Sequence, residues 1–188
     1  MRDAEKRVRD GVRAAMQLHA SSGARIAVAL SGGRDSTVLL DATHAEATSL
    51  RHDVVALHVH HGLSPHADAW SAHCEALCRS LDVPIAVERV DVPRAPRKSL
   101  EGTAREARYR ALAAMAQRSG AAMVMLGHQQ DDQAETLLLH LLRGSGPRGL
   151  AAIPRVRDAR GVRWVRPLLD IPRTVIDAYV EARALRYV

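Results

Sequence analysis

The 188 residues fall within the size of one domain, and a hydrophobic fraction of 47% suffices for a packed core; aromatics are only 3% with no Phe, so Ala, Leu and Val must fill that core and stacking of single-stranded RNA on an aromatic platform is not the expected device. The formal charge is +6, and all of it sits in the last quarter: residues 1–142 carry 17 basic against 17 acidic residues, whereas 143–188 carry 10 Arg against 4 acidic residues. Two cysteines exclude a disulfide scaffold, the charged start Met1–Leu18 has no apolar core of a signal peptide, and no apolar run approaches the ~18 residues of a membrane span, so a soluble, cytoplasmic protein with no membrane partner is expected.

In chain order, Ala4 to Ala20 places Val8, Val12, Ala15, Met16 and His19 at helical spacing, which predicts an amphipathic opening helix. Ile26 to Leu30 is a compact apolar run ending at Ser31-Gly32-Gly33, a buried strand entering a glycine turn. Thr37 to Ser49 reads as a helix, Val54 to His60 as a strand, Ala67 to Leu81 as a helix and Pro84 to Val90 as a strand. Asp91 to Leu100 contains Pro and Arg and reads as a surface loop. Glu101 to Gln117 is helical, Ala121 to Leu126 a strand and Asp131 to Leu142 a helix. Gly144, Gly146, Pro147 and Gly149 then break the pattern, and a polar stretch runs to Val162. Arg163 to Leu168 reads as a last strand and Pro172 to Ala184 as a last helix, with Pro172 suited to its first turn. Strands alternating with helices of this length predict an α/β single domain over residues 1–188, with a doubly wound parallel sheet and its ligands at the carboxyl ends of the strands.

The sharpest local signal is Ser31-Gly32-Gly33-Arg34-Asp35-Ser36 between a strand and a helix. Two glycines let the backbone turn tightly and approach an anion. The first amides of the following helix point into the same space, where the helix dipole favours negative charge, and Ser31 and Ser36 add hydroxyl donors. The pattern lacks the Lys-Ser/Thr of the standard P-loop. The competing reading is an ordinary glycine turn capped by serines.

Strand, S-G-G-x-D-S, helix resembles the PP-loop of the ATP pyrophosphatases, which cleave ATP between the α- and β-phosphates. Four further segments are similar to those of the tRNA(Ile)-lysidine synthetases: His58-Val-His-His-Gly-Leu63; Glu101-Gly-Thr-Ala-Arg105-Glu-Ala-Arg108-Tyr109; Gly127-His128-Gln-Gln-Asp131-Asp132-Gln-Ala-Glu135-Thr136 running into Leu142-Arg-Gly-Ser-Gly146 and Gly149-Leu150; and Arg166-Pro-Leu-Leu169. They stand in family order from about residue 25 to the end of the chain. Two positions depart from the pattern. Gln129 replaces a second histidine, which weakens a catalytic role there, and Ser64 replaces an arginine, which removes one phosphate contact.

The resemblance implies a PP-loop, adenine nucleotide alpha hydrolase-like fold, and it implies that Ser31, Gly32, Gly33, Arg34, Asp35 and Ser36 bind ATP. It also implies a ligase reaction. The wobble cytidine of tRNA(Ile) with a CAU anticodon attacks the α-phosphate through O2, pyrophosphate leaves, and an amine of L-lysine displaces AMP to give lysidine. Asp35, Asp131, Asp132, Arg105, Arg108, Arg166 and His128 are its candidate catalytic residues, with Asp131 and Asp132 binding Mg²⁺ or orienting the amine. Arg143 and Arg148, in the basic segment 143–188, would meet the tRNA backbone. Lysidine synthetases continue into C-terminal domains that this chain does not contain. Homodimerisation is carried as an open expectation, since the sequence does not set the oligomeric state.

Each residue also has a plainer reading. Asp131 and Asp132 suit Mg²⁺ beside a triphosphate, but a carboxylate in a first helical turn stabilises by ~0.3–1 kcal/mol with no function at all. Arg105 and Arg108, three apart, share a helix face that either offsets charge during phosphoryl transfer or is merely solvated. His128 reads equally as a site residue or a structural histidine, and the Arg excess competes with a general preference for Arg, since 25 of the 27 basic residues are Arg. Three patterns are set aside: Gly144-x-Gly146-x-x-Gly149 follows a helix rather than a strand, Cys74 and Cys78 lack a second cysteine pair, and His58, His60 and His61 alternate along a strand end. Rival functions are a PP-loop tRNA thiolase, an ammonia-using ligase, and a nucleotide-binding module without turnover.

Overall fold

Chain order alternates helices and strands as the apolar patterning demands. The computed structural model describes residues 2–62, 64–91, 99–142, 144 and 152–188. The elements are α1 (Arg2–His19), β1 (Arg25–Ala29), α2 (Arg34–Leu50), β2 (Asp53–His60), α3 (Ala67–Ser80), β3 (Ile85–Arg89), α4 (Leu100–Arg118), β4 (Ala121–Met125), α5 (Gln130–Leu142), β5 (Val156–Ala159), β6 (Val162–Val165) and α6 (Arg173–Arg183).

The six strands form one sheet in the order β3-β2-β1-β4-β6-β5, parallel throughout except for β5, which runs antiparallel to β6. In register, Ile26 faces Val54 on one side and Met123 on the other, and Met125 faces Val165. Successive side chains point to opposite faces, and the core splits accordingly. Ile26, Val28, Val54, Ala56, Met123 and Met125 pack on one face with Val12 and Met16 of α1, Leu39 of α2, Cys78 of α3 and Tyr179 of α6. Ala27, Leu57, Val124 and Trp164 pack on the other with Ala111, Leu112, Met115 and Ala116 of α4. Helices therefore cover both faces of an α/β single domain, as expected. Among the described residues, α5 contributes no buried side chain.

Two boundaries differ from the expectation. Helix α2 starts at Arg34, not Thr37, so it begins immediately after Gly33, and Arg34, Asp35 and Ser36 form its first turn. The polar stretch before Val162 contains a strand. Val156–Ala159 lies at the sheet edge, where both faces tolerate polar side chains, and a turn through Arg160 (φ 58°) and Gly161 (φ 70°) joins it to β6. Two positive φ angles match the hairpin turns that continue strand twist. The predicted last strand is correspondingly shorter, ending at Val165.

Candidate active site

Strand β1 lies between β2, reached through α2, and β4, so the chain order reverses at β1 and a crevice opens outside the carboxyl ends of β1 and β4. A cavity of about 320 Å³ occupies this crevice. It is bordered by Ser31, Gly33, Arg34, Asp35 and Ser36 after β1, by His58, His60 and His61 at the end of β2, by Gly127, His128 and Asp132 after β4, and by Arg108 and Tyr109 of α4.

The glycine turn is held by its serines. The Ser36 hydroxyl donates to the Gly33 carbonyl at 2.8 Å and accepts from the Ser31 amide at 3.2 Å, and the Gly33 amide donates to the Ser31 hydroxyl at 3.3 Å. Gly32 takes φ +86°, which L side chains avoid, and a Cβ there would lie 2.9 Å from Val188 Cγ2 and 3.2 Å from Cys74 Sγ. Gly33 is the N-cap of α2, and no side chain caps this helix. The first amides of a helix have no partner within it, so those of α2 face the cavity as anion donors, reinforced by the positive end of the helix dipole. Helix α4, by contrast, is capped by the Ser99 hydroxyl on the Gly102 amide at 3.1 Å.

Helix α5 is capped from both directions. The Asp131 amide donates to Gln129 Oε1 at 2.8 Å, and the Gln129 amide donates to Asp132 Oδ2 at 2.7 Å, a reciprocal capping box. Gln129, which departs from the family pattern, therefore acts as a buried cap. Of the acidic pair, Asp132 borders the cavity and Asp131 does not. Both readings apply to Asp132 at once, since one oxygen caps the helix while the carboxylate faces the crevice.

Asp35 is held above the usual carboxylate range, first by burial and further by the charge of Asp132, against the lowering pull of Arg34. Two carboxylates in one anion-binding crevice fit a hard divalent cation whose shell is completed by substrate phosphates. Among the described residues, no group of three or more His, Cys, Asp or Glu could hold a metal alone. Arg34 is not free to swing onto a phosphate. Its Nε donates to Asp35 Oδ1 at 3.0 Å and its guanidinium to Asp177 Oδ1 of α6 at 2.8 Å.

His128 lines the same cavity as this pair of carboxylates. Burial, then the positive charge of Arg166, brings it down to about 4, so it is a neutral imidazole at physiological pH, and its Nδ1 is buried without a hydrogen-bond partner. His58 donates through Nδ1 to the Leu30 carbonyl at 2.8 Å, and His60 Nε2 lies 3.1 Å from Asp68. All three histidines of β2 and its end border the cavity, but two are already engaged elsewhere.

The arginines separate. Arg108 borders the cavity, half-buried and lowered by desolvation, with Tyr109 beside it. Arg105 and Arg166 border a neighbouring cavity, and Arg105 meets Arg108 at a further one beside His61. Arg143, Arg148, Gly146 and Gly149 lie outside the described residues. Trp70 of α3 also borders the crevice, and no motif pointed to it. Cys74 and Cys78 are buried and their thiols are pushed up to about 12 and about 11, which keeps them protonated and unreactive. No described helix is long and apolar enough to cross a membrane.

A family model for the PP-loop domain matches residues 6–188. The chain is 52% identical over 164 residues to a tRNA(Ile)-lysidine synthase of Chromobacterium violaceum, covering 86% of this chain and 37% of that protein. It is 52% identical over 166 residues to the same enzyme of Pseudomonas aeruginosa, covering 86% and 36%. The chain thus spans little more than a third of the length of the curated relatives it matches. Among solved structures, a U34-tRNA thiolase, NcsA, of Methanococcus maripaludis superposes with a TM-score of 0.84 at 17% identity, covering 97% of this chain and 64% of that one. An ammonia-dependent NAD synthetase of Campylobacter jejuni superposes with a TM-score of 0.62 at 16% identity, covering 98% and 73%. At such identities these two likenesses concern the fold.

Proposed function

The chain belongs to the PP-loop domain family, and from that membership we propose that it is the ATP-using catalytic part of a tRNA(Ile)-lysidine synthetase. The observation that carries the reading is the uncapped start of α2 at Gly33, whose free amides and serine-braced turn face a crevice containing Asp35 and Asp132. Identity of about half over most of the chain with lysidine synthases selects this member of the family over thiolases and NAD synthetases. The protonated, buried thiols of Cys74 and Cys78 count further against sulfur transfer.

In this reading the α2 amides and the Ser31 and Ser36 hydroxyls grip the β- and γ-phosphates. Asp35 and Asp132 would hold Mg²⁺, which would supply positive charge against the phosphates. The cytidine O2 attacks the α-phosphorus, the bond from that phosphorus to the bridging oxygen breaks, and pyrophosphate leaves with the electron pair. Arg108 offsets the charge that accumulates on the phosphoryl oxygens. An L-lysine amine then attacks C2, AMP departs, and the amine proton passes to a base, a role open to the Asp132 carboxylate in the crevice. His128, neutral, can hydrogen-bond substrate without adding charge. The basic segment with Arg143 and Arg148 attracts the tRNA backbone. The protein acts in the cytoplasm.

The test is pyrophosphate release from Mg²⁺-ATP with and without unmodified CAU-anticodon tRNA, followed by L-lysine. Release that requires this tRNA, with lysine then incorporated, is the expected result. Release without lysine incorporation would point to a different second nucleophile, and incorporation of sulfur would restore the thiolase reading.

A further inference from the structure

A second cavity, of about 260 Å³, shares Tyr109 with the crevice. Arg105 of α4, Arg157 and Arg160 of the β5–β6 hairpin, and Arg166 after β6 converge on it, against the edge-to-face pair of Tyr109 and Trp164. None of residues 31–36 borders it, so it is not an extension of the phosphate turn.

Four guanidinium groups around one hollow repel each other unless an anion offsets them. Among the described residues none of the four has a carboxylate within ion-pair distance. Asp158, the acid of the hairpin, is taken by Arg163 at 2.9 and 3.2 Å, and Glu106, which also lines the hollow and offsets part of its charge, faces Arg110 at 3.6 Å, leaving the four arginines in excess. The residues outside the described set contain no Asp or Glu, so none of them can supply the missing charge. Arg166 is 4% exposed, and its guanidinium donates to the Pro154 carbonyl at 2.8 Å while Nε has no partner. Burying such a group without a paired charge is costly, which is reasonable where a ligand supplies the anion.

We propose that this cavity is a site for a phosphate-class oxyanion, presented by the backbone of the RNA whose base enters the neighbouring crevice; the assignment rests on the function proposed above. Tyr109 borders both hollows, so a base in one and a backbone phosphate in the other would adjoin a single side chain. Arg157 and Arg160 are exposed on the sheet's edge strand and its turn, where a long polyanion has access. Phosphate contacts of this kind position a nucleic acid without reading its sequence.

The experiment compares the whole chain with the double variant Arg157→Ala/Arg160→Ala, neither residue being part of the ATP crevice. Affinity for an unmodified CAU-anticodon tRNA transcript is measured across a salt series, with Mg²⁺-ATP affinity and thermal midpoint alongside. The expected result is RNA affinity about 10-fold lower at moderate salt and a salt slope shallower by roughly 0.7–0.9 for each contact removed, with ATP affinity unchanged. Arg157→Lys/Arg160→Lys should recover most of both. Equal RNA affinity and slope in the alanine variant would overturn the inference while leaving the proposed function standing. A parallel titration with inorganic pyrophosphate separates the sources: if pyrophosphate binding is lost in the variant and RNA binding is not, the occupant is a free oxyanion and the RNA assignment falls. Failure of the unaltered chain to adenylate any tRNA would instead remove the functional reading on which the inference depends.

Discussion

Gly127, just beyond β4, lies back to back with Ser36 in the first turn of α2: a Cβ on Gly127 would sit 3.0 Å from the Ser36 amide nitrogen and 3.0 Å from the Asp35 carbonyl carbon. Those atoms are backbone, so they cannot turn aside as a side chain can. The close approach holds the anion-binding turn against the β4 end that carries His128 and Asp132. Gly127→Ala should therefore cost about 1–3 kcal/mol by overpacking and weaken ATP binding with it. Urea denaturation and an ATP titration measure the two effects, and an unaltered protein in both would mean that this contact is slack.

The acidic pair can be divided by substitution. Asp132→Ala loses the cap on the Gln129 amide, worth about 0.5–2 kcal/mol, together with a carboxylate in the crevice. Asp132→Asn should keep most of the cap yet lose ATP turnover, whereas Asp131→Ala should cost much less activity than either. Steady-state pyrophosphate release and thermal midpoints, measured on all three, check the ordering. Equal losses at 131 and 132 would return Asp131 to the site.

Asp35 sits in an environment that penalises its charge, chiefly through burial. Asp35→Asn removes that penalty, so the variant should be at least as stable as the parent while ATP turnover falls ~100-fold or more, the usual exchange of stability against function at a site. Calorimetry and the same release assay test both halves. A folded, fully active Asp35→Asn protein would end the assignment of Asp35 to the reaction.

His128 contributes a defined pH dependence. Its folded value, about 4, lies below its unfolded value, so the unfolded chain takes up the proton first as pH falls. Its contribution is complete above about 6.5 and is lost as pH drops from there towards 4, amounting to at most about 3 kcal/mol. Between pH 5 and 7, His128→Gln should show a flatter stability curve than the parent in parallel urea melts. A difference that does not change with pH would mean that His128 titrates normally.

Much of this protein was written locally in the chain. The apolar run Ile26 to Leu30, the glycine turn after it and the alternation of strand and helix patterns followed from periodicity and turn chemistry, which depend on near neighbours. For the same reason Ser31 to Ser36 and Asp132 could be found by motif and spacing. Other features depended on contacts between distant segments. Strand β5 is polar because it is an edge, and edge position is a property of the assembled sheet. Asp132 and not Asp131 meets the crevice because α5 leaves its cap at one rotation and not another. Arg34, read as a phosphate contact, is braced by Asp177, 143 residues further on. Arg105 and Arg108 share a helix face and meet at one hollow beside His61, yet only Arg108 also borders the crevice, while Arg105 also borders the hollow under the β5–β6 hairpin. Periodicity fixes which way a side chain leaves its own element; only the packing of one element on another decides what it meets there.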